Sequence, residues 1–187
     1  MKKYFEINTR TIVATGLGAA VFTLLFMFVK IPSPVPETSF QTAYGLSAFF
    51  ATLFGPIAGG LIAFIGHALS DGIQYGTPWW SWVIASGVAS FIFGFAYKNT
   101  QVEEGSFGVK DIVKFNVIQI FGNIFAWLIV APVLDILIYA EPTGLVFAQG
   151  AFAAMGNILS AGIIGTLLLV AYAATRTKKG RLSRKED

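Results

Sequence analysis

The chain has no cysteine and a single histidine, His67. A disulfide framework and thiol chemistry are excluded, and a zinc site, which draws on several Cys or His ligands, has no material. Charge is scarce as well: 12% of the 187 residues are charged, about half of the roughly 25% usual in a soluble domain. No P-loop sequence is present, and neither is His-Glu-x-x-His or Gly-x-Ser-x-Gly. ATP hydrolysis at a P-loop, zinc-peptidase chemistry and nucleophile-elbow hydrolysis are thereby excluded. The apolar runs hold no chain of carboxylates that would suggest a proton relay. Nor does the net charge of +3 point to nucleic acid, since the basic residues border apolar runs and form no continuous groove.

What is present is apolar: 55% of the residues are hydrophobic and 15% aromatic. A membrane helix needs about 20 mostly apolar residues. The runs predict spans over Thr11 to Val29, Tyr44 to Phe54, Ile57 to Ile73, Pro78 to Tyr97, Asp111 to Leu137 and Gly150 to Ala174. The start, Lys2 and Lys3 before an apolar run, is like a signal peptide. Its run is too long for a signal core, and the expectation is a first membrane helix. The second span is short, and is expected to be tilted, re-entrant or wrapped by its neighbours. Pro32, Pro34 and Pro36 keep the segment after the first span out of a helix. Lys98 to Lys110 reads as a polar connection, and Asp135 to Gln149 as an external loop. No convincing repeat and no long linker appear, so residues 1–187 read as one domain.

Six spans put both termini on one side. Basic residues stay on the cytoplasmic side of a membrane. With the termini cytoplasmic, Lys2, Lys3, Arg10, Lys98, Lys110, Lys114 and the six basic residues from Arg176 to Lys185 lie inside, twelve in all, and only Lys30 lies outside. The fold class expected is an all-α membrane protein of six transmembrane helices with both termini cytoplasmic, its apolar surface meant for the lipid bilayer.

The densest polar cluster runs from Gly66 to Trp82. His67, Asp71 and Gln74 or Tyr75 follow at helical spacing and share one face at the outer end of the third span. Ionisable groups inside a membrane span face a cavity or a partner. On one reading Asp71 is a binding group; on the other it is a loop residue to which His67 hydrogen-bonds. Trp79, Trp80 and Trp82 suit an interfacial aromatic belt; Trp79 and Trp80 read equally as site residues. The fifth span carries Asn116, Gln119, Asn123 and Trp127 as one stripe, which lipid would not tolerate. Asn116 and Gln119 suit hydrogen bonding between helices. Asn123 and Trp127, nearer the outer half, are site candidates, as is Asn157 of the sixth span. Gln41 and Tyr44 follow the Pro-rich segment and are placed to close over a pocket.

These groups are amide-rich, aromatic and nearly neutral. Rings stack on a flat heterocycle and amides read its nitrogens and hydroxyls. A strongly anionic ligand would want Arg or Lys, and this region offers only Lys30. No metal and no cofactor is expected. Small residues four apart, Ala14 with Gly18 and Gly16 with Ala20 on the first span, and Gly55, Gly59 and Ala63 around the third, permit close backbone approach. The Ala14/Gly18 stripe is a candidate contact with another subunit.

The size, the six spans, the basic termini and the small-residue stripe resemble the substrate-binding S components of energy-coupling factor (ECF) vitamin transporters. More narrowly, Gln41-Thr-Ala-Tyr44, Phe54-Gly-Pro56, Gly66-His-Ala68 and the run from Asp71 through Gln74-Tyr-Gly-Thr-Pro-Trp-Trp-Ser-Trp82 resemble S-component-like membrane proteins of Gram-positive bacteria, over nearly the whole chain. The resemblance implies a transmembrane scaffold subunit and two cytoplasmic ATPases as partners. It also implies vitamin capture outside, followed by toppling of the bundle. The contact motif of the family, Ala-x-x-x-Ala in the first helix, falls at Ala14 and Gly18, with Gly in place of the second Ala. S-component pockets differ by vitamin, so the substrate does not carry over. Among vitamins, pyridoxine or the hydroxymethylpyrimidine precursor of thiamine is the expected type, with riboflavin next. Two further classes stay open on sequence: an intramembrane enzyme using His67 and Asp71 as a base pair, and a structural or channel-like subunit without a small ligand.

Overall fold

α1 (Thr9–Phe28) begins where Asn8 caps it, its side-chain oxygen accepting the amide of Thr11 at 3.0 Å. A short acceptor just before an apolar run satisfies one of the orphan donors of a first turn. The computed structural model describes residue 5 and residues 7–176; Lys2, Lys3 and the basic residues beyond Arg176 lie outside the described residues.

The segment after α1 is not helical, as its prolines dictate, but it is ordered. β1 (Lys30–Pro32) pairs antiparallel with β2 (Ser39–Gln41), Lys30 opposite Gln41 and Pro32 opposite Ser39. Prolines are tolerated here because a two-stranded ribbon is all edge. The expectation of a purely helical chain is corrected by this hairpin.

Among the described residues, five helices are long and apolar enough to cross a membrane: α1, α3 (Pro56–Tyr75), α4 (Trp80–Asn99), α5 (Val109–Tyr139) and α6 (Thr143–Thr175). The sixth, α2 (Ala43–Phe54), has 12 residues and is about 18 Å long, against a hydrocarbon core of about 30 Å. It packs among α1, α3, α4 and α6 and buries Tyr44, Ser47, Ala48 and Ala51 completely or nearly so. The short second span is therefore a wrapped helix. α2 and α3 join at Gly55, whose φ of 90° a side-chain-bearing residue rarely adopts, with Pro56 at the first turn of α3.

One expected loop is corrected. Residues 135–149 are almost wholly helical: α5 continues to Tyr139 and α6 starts at Thr143, so the connection is residues 140–142. An aspartate in an apolar run reads as a span end. Asp135 stays inside because three donors satisfy its carboxylate, and it is 1% exposed. Pro132 leaves a different mark on α5. It cannot donate to the carbonyl four residues back, and just before it the ladder widens to a π-type turn over Ala126–Val130, with the amide of Ala131 reaching Ala126. A second π-type turn lies in α6 over Ala161–Gly165.

At one end of the bundle Arg10 pairs with Glu103 at 3.0 Å, and Arg176 donates to the Glu103 carbonyl at 3.4 Å. The start of α1, the α4–α5 connection and the end of α6 thus share that end. The hairpin, the α3–α4 turn and the α5–α6 connection share the other.

The small-residue stripe of α1 is used inside the bundle. Ala14 is buried, and a Cβ on Gly18 would lie 2.6 Å from Ile62 Cδ1 of α3. The Ala14/Gly18 pair expected at a partner surface lies instead in the α1–α3 seam. Gly16 and Ala20, on the opposite face, are exposed, and nothing lies within 4 Å of a Cβ built on Gly16.

Candidate ligand-binding site

The polar residues at the hairpin end fall into two layers. The deeper one starts from Tyr44 on α2, fully enclosed, whose hydroxyl lies 2.6 Å from Ser86 Oγ of α4. His67 Nδ1 on α3 lies 2.6 Å from the same oxygen. Its Nε2 is 3.5 Å from Asp71 Oδ1, one turn further along α3, and Asp71 Oδ2 accepts the backbone amide of Trp79 at 3.0 Å. A serine hydroxyl has one proton to give. If Ser86 gives it to His67 Nδ1, Tyr44 donates to Ser86 and His67 Nε2–H points at Asp71. Ser86 Oγ also lies 2.9 Å from the Trp82 carbonyl, an acceptor that competes for the same proton. His67 and Asp71 thus sit in one network with Tyr44, and Asp71 also holds the start of α4.

The second layer is the α3–α4 turn. Trp79 and Trp82 both donate their indole N–H to Asp135, each at 2.7 Å, and Ser81 Oγ donates to it too. The Trp79 ring stacks on Tyr139 with centroids 4.2 Å apart, and the Tyr139 hydroxyl accepts the amide of Trp80. The Trp80 ring lies against Phe64 at 6.2 Å. Trp79 and Trp80 remain 40% and 44% exposed, so they form a rim. Tyr75 is 68% exposed at the same end. Gln74 is occupied, accepting from Lys30 Nζ at 3.1 Å and donating to Ser70 Oγ at 2.8 Å.

The remaining expected residues behave differently. Among the described residues, four of the expected site residues each bury a polar atom that has no hydrogen-bond partner in the protein: Gln41 Oε1, Asn123 Oδ1, Trp127 Nε1 and Asn157 Oδ1. Each such atom costs about 1–3 kcal/mol if left unpaired, and buried polar atoms in native proteins are normally paired. The four belong to neighbouring elements. Gln41 ends the hairpin next to Phe40, whose ring fills the space a Cβ on Gly156 would take, beside Asn157. Asn123 and Trp127 are one turn apart on α5. The Trp127 ring meets Tyr44 edge-on at 5.6 Å and Trp82 at 5.3 Å. Helices α5 and α6 approach closely here, because a Cβ on Gly150 would lie 2.1 Å from the Trp127 carbonyl oxygen. The inner wall is aromatic, from Phe22 and Phe26 through Tyr44 to Trp127 and Trp82.

The structure thus sets the Trp127 ring, one turn from Asn123, against Tyr44 and Trp82, and joins His67 and Asp71 to Tyr44 through Ser86; Gln41 and Asn157 flank the Phe40–Gly156 contact between the hairpin and α6. Gln74, Tyr75, Trp79 and Trp80 sit at the rim. Sequence reasoning did not single out Ser86, Ser81, Asp135 and Tyr139. A usable signal existed for two of them: Ser86 stands four residues after Trp82, and Asp135 is an ionisable residue within an apolar run. No group of three or more metal-ligating side chains occurs among the described residues. A surface groove between α3 and α4 of about 410 Å³, lined by residues such as Leu61, Phe64 and Phe91, offers only apolar side chains to a ligand.

Comparison with known proteins is consistent along the chain. The profile of a family described as "ECF-type riboflavin transporter, S component" matches residues 6–174. A UPF0397 protein of Enterococcus faecalis is 52% identical over 179 residues, covering 96% of this chain and 98% of the relative. One from Exiguobacterium is 55% identical over 177 residues, covering 95% and 97%. One from Lactobacillus acidophilus is 49% identical over 181 residues, covering 97% of each. The chain therefore belongs to the ECF-type riboflavin transporter S-component family: it is the substrate-binding subunit of a multi-pass membrane transporter and not an enzyme.

Proposed function

We propose that the protein captures a small, neutral, ring-bearing vitamin or vitamin precursor from outside the cell and presents it for ATP-driven uptake. S components work with an ECF scaffold and ATPase modules, and on this reading residues 1–187 act as one substrate-binding domain docked on a scaffold with two cytoplasmic ATPases. Both termini are cytoplasmic, because twelve of the thirteen basic residues then lie inside, and the hairpin end faces out.

The observation that carries the reading is the set of unpaired buried polar atoms on Gln41, Asn123, Trp127 and Asn157, together with the contact of the Trp127 ring with Tyr44 and Trp82. A protein that buries such atoms loses stability unless a ligand pairs with them. Neutral ligands suit them best. Lys30 is taken by Gln74, and the Asp135 carboxylate already holds three donors. Pyridoxine, hydroxymethylpyrimidine and riboflavin all have a flat ring with polar edges. His67, Asp71, Gln74, Trp79 and Trp80 are read as the lip over which the ligand enters.

The test is to purify the protein from its host membrane and identify a co-purifying small molecule by mass spectrometry, then titrate the purified protein with it. A vitamin bound one-to-one, with affinity lost in Trp127→Ala and Asn157→Ala, is the expected result. A protein that binds none of these three compounds and carries no small molecule would overturn the capture reading.

A further inference from the structure

The polarity of the site is fixed more tightly than its residue types alone indicate. An amide side chain can usually be turned end for end, but three amides on α5 cannot. Asn116 Nδ2 donates to the Ile112 carbonyl at 2.9 Å, which accepts only. That leaves Asn116 Oδ1 to accept from Gln119 Nε2 at 3.1 Å, and the same Nε2 also reaches the Ile158 carbonyl at 3.4 Å. Gln119 Oε1 is then free to accept, and Asn123 Nδ2 donates to it and to the Gln119 carbonyl, both at 3.0 Å. The ladder starts at a backbone carbonyl and ends on Asn123 Oδ1, which is fully buried and unpaired. The end presented is therefore an acceptor and nothing else. One turn further along α5, Trp127 Nε1 is a donor and nothing else, 1% exposed and also unpaired.

We propose that this pair reads a complementary edge on the ligand: a hydrogen-bond donor next to an acceptor on a neutral flat heterocycle. The donor meets Asn123 and the acceptor meets Trp127. Two chemical forms supply such an edge, a lactam N–H beside its carbonyl, and an exocyclic amino group beside a ring nitrogen. Further hydroxyl donors on the ligand meet Gln41 Oε1 and Asn157 Oδ1. The inference rests on the substrate-binding reading above and narrows it. It favours a flavin or an aminopyrimidine over pyridoxine, whose pyridine nitrogen is flanked by carbon substituents with no N–H.

The experiment uses the full-length protein in detergent or nanodiscs, with binding measured by calorimetry for matched probes. These are riboflavin and its 3-methyl derivative, 4-amino-5-hydroxymethyl-2-methylpyrimidine and its dimethylamino counterpart, and pyridoxine. One unmethylated compound should bind, and methylating its edge should weaken binding at least tenfold. Trp127→Phe keeps the ring and removes the donor, and it should weaken the same compound at least tenfold while the thermal midpoint of the unliganded protein stays within a few degrees. A methylated compound that binds as well as its parent overturns the edge. So does a Trp127→Phe protein with parent affinity. Binding of pyridoxine alone overturns the edge and keeps the substrate-binding reading, whereas a protein that binds nothing in the panel and carries no co-purified ligand overturns both.

Discussion

Trp82 donates its indole N–H to Oδ2 of Asp135 at 2.7 Å, and this one bond ties the proposed site to the α3–α4 turn. Trp82 also touches the Trp127 ring, while Asp135 holds Trp79 and Ser81 of the same turn. Among the described residues, the groups that bond the carboxylate are all neutral. It is kept in place by neutral donors from three residues, which fix the start of α4 against the end of α5. In Asp135→Ala all three donors lose their acceptor. At about 1 kcal/mol for each net bond in a membrane bundle, stability should fall by about 3 kcal/mol. Asp135→Asn, which keeps one oxygen, should lose less. Thermal unfolding in detergent measures this directly, and a wild-type midpoint for Asp135→Ala would show that the clasp holds nothing.

Gly150 supports the same site from α6. Its missing Cβ would sit 2.1 Å from the backbone oxygen of Trp127, and a backbone oxygen has no rotamer to escape into. Gly150→Ala must therefore push α6 away from α5. Overpacking of this kind costs about 1–3 kcal/mol, and the displaced Trp127 should lower ligand affinity as well. Gly144→Ala, six residues before Gly150 in α6 with nothing within 4 Å of its Cβ, is the matched control. Equal midpoints and equal affinities for the two variants would show that the helices can part without harm.

Asn157 offers a trade between stability and binding. Its Oδ1 is buried and unpaired, a cost of about 1–3 kcal/mol to the unliganded protein. Asn157→Leu keeps the number and branching of the side-chain heavy atoms and removes that cost. The unliganded variant should unfold at a higher temperature than the wild type, by the equivalent of about 1 kcal/mol, and the ligand should no longer raise the midpoint. Functional sites commonly carry such stored instability. A variant that is both less stable and still ligand-responsive would place Asn157 among ordinary packing residues.

The helices were legible because each is a long apolar run bounded by a residue with a plain mechanical role: Asn8, Gly55, Pro56, Gly76. What was not legible came from partners far apart in sequence. Asp135 looked like a loop residue because nothing near it in the chain balances its charge; its donors sit more than fifty residues earlier, at Trp79, Ser81 and Trp82. The Ala14/Gly18 stripe could be recognised as a close-contact surface, but spacing alone does not say which helix meets it, and Ile62 of α3 does. The amides on α5 were visible as a stripe. Their division into the locked Asn116 and Gln119 and the unpaired Asn123 depends on a carbonyl of α6 and on which end of each amide is used.

Orientation is open to direct measurement. Ser33 lies in the hairpin turn and Thr143 at the start of α6, both at the end of the bundle opposite Arg10 and Glu103. With both termini cytoplasmic, single cysteines at these two positions should react with a membrane-impermeant maleimide added to intact cells. A cysteine at Ser183, which lies outside the described residues, should react only after permeabilisation. Labelling of position 183 in intact cells would invert or break the topology.

The two faces of α1 give opposite expectations for a bulky ring. Gly18 is pressed against Ile62, so Gly18→Trp must disrupt the α1–α3 seam and should lower unfolding midpoint, ligand binding and uptake together. Gly16 has open space around it, and Ala20 on the same face is exposed. Small residues on an exposed helix face allow another helix to approach closely, and a large ring holds it off. Gly16→Trp should therefore leave the midpoint and ligand affinity of the isolated subunit unchanged, while uptake in cells containing the scaffold and ATPases falls several-fold. Co-purification of the scaffold with Gly16→Trp should fall in parallel. If Gly16→Trp transports like the wild type, the partner docks on another face of the bundle, and the exposed small residues of α1 face lipid alone.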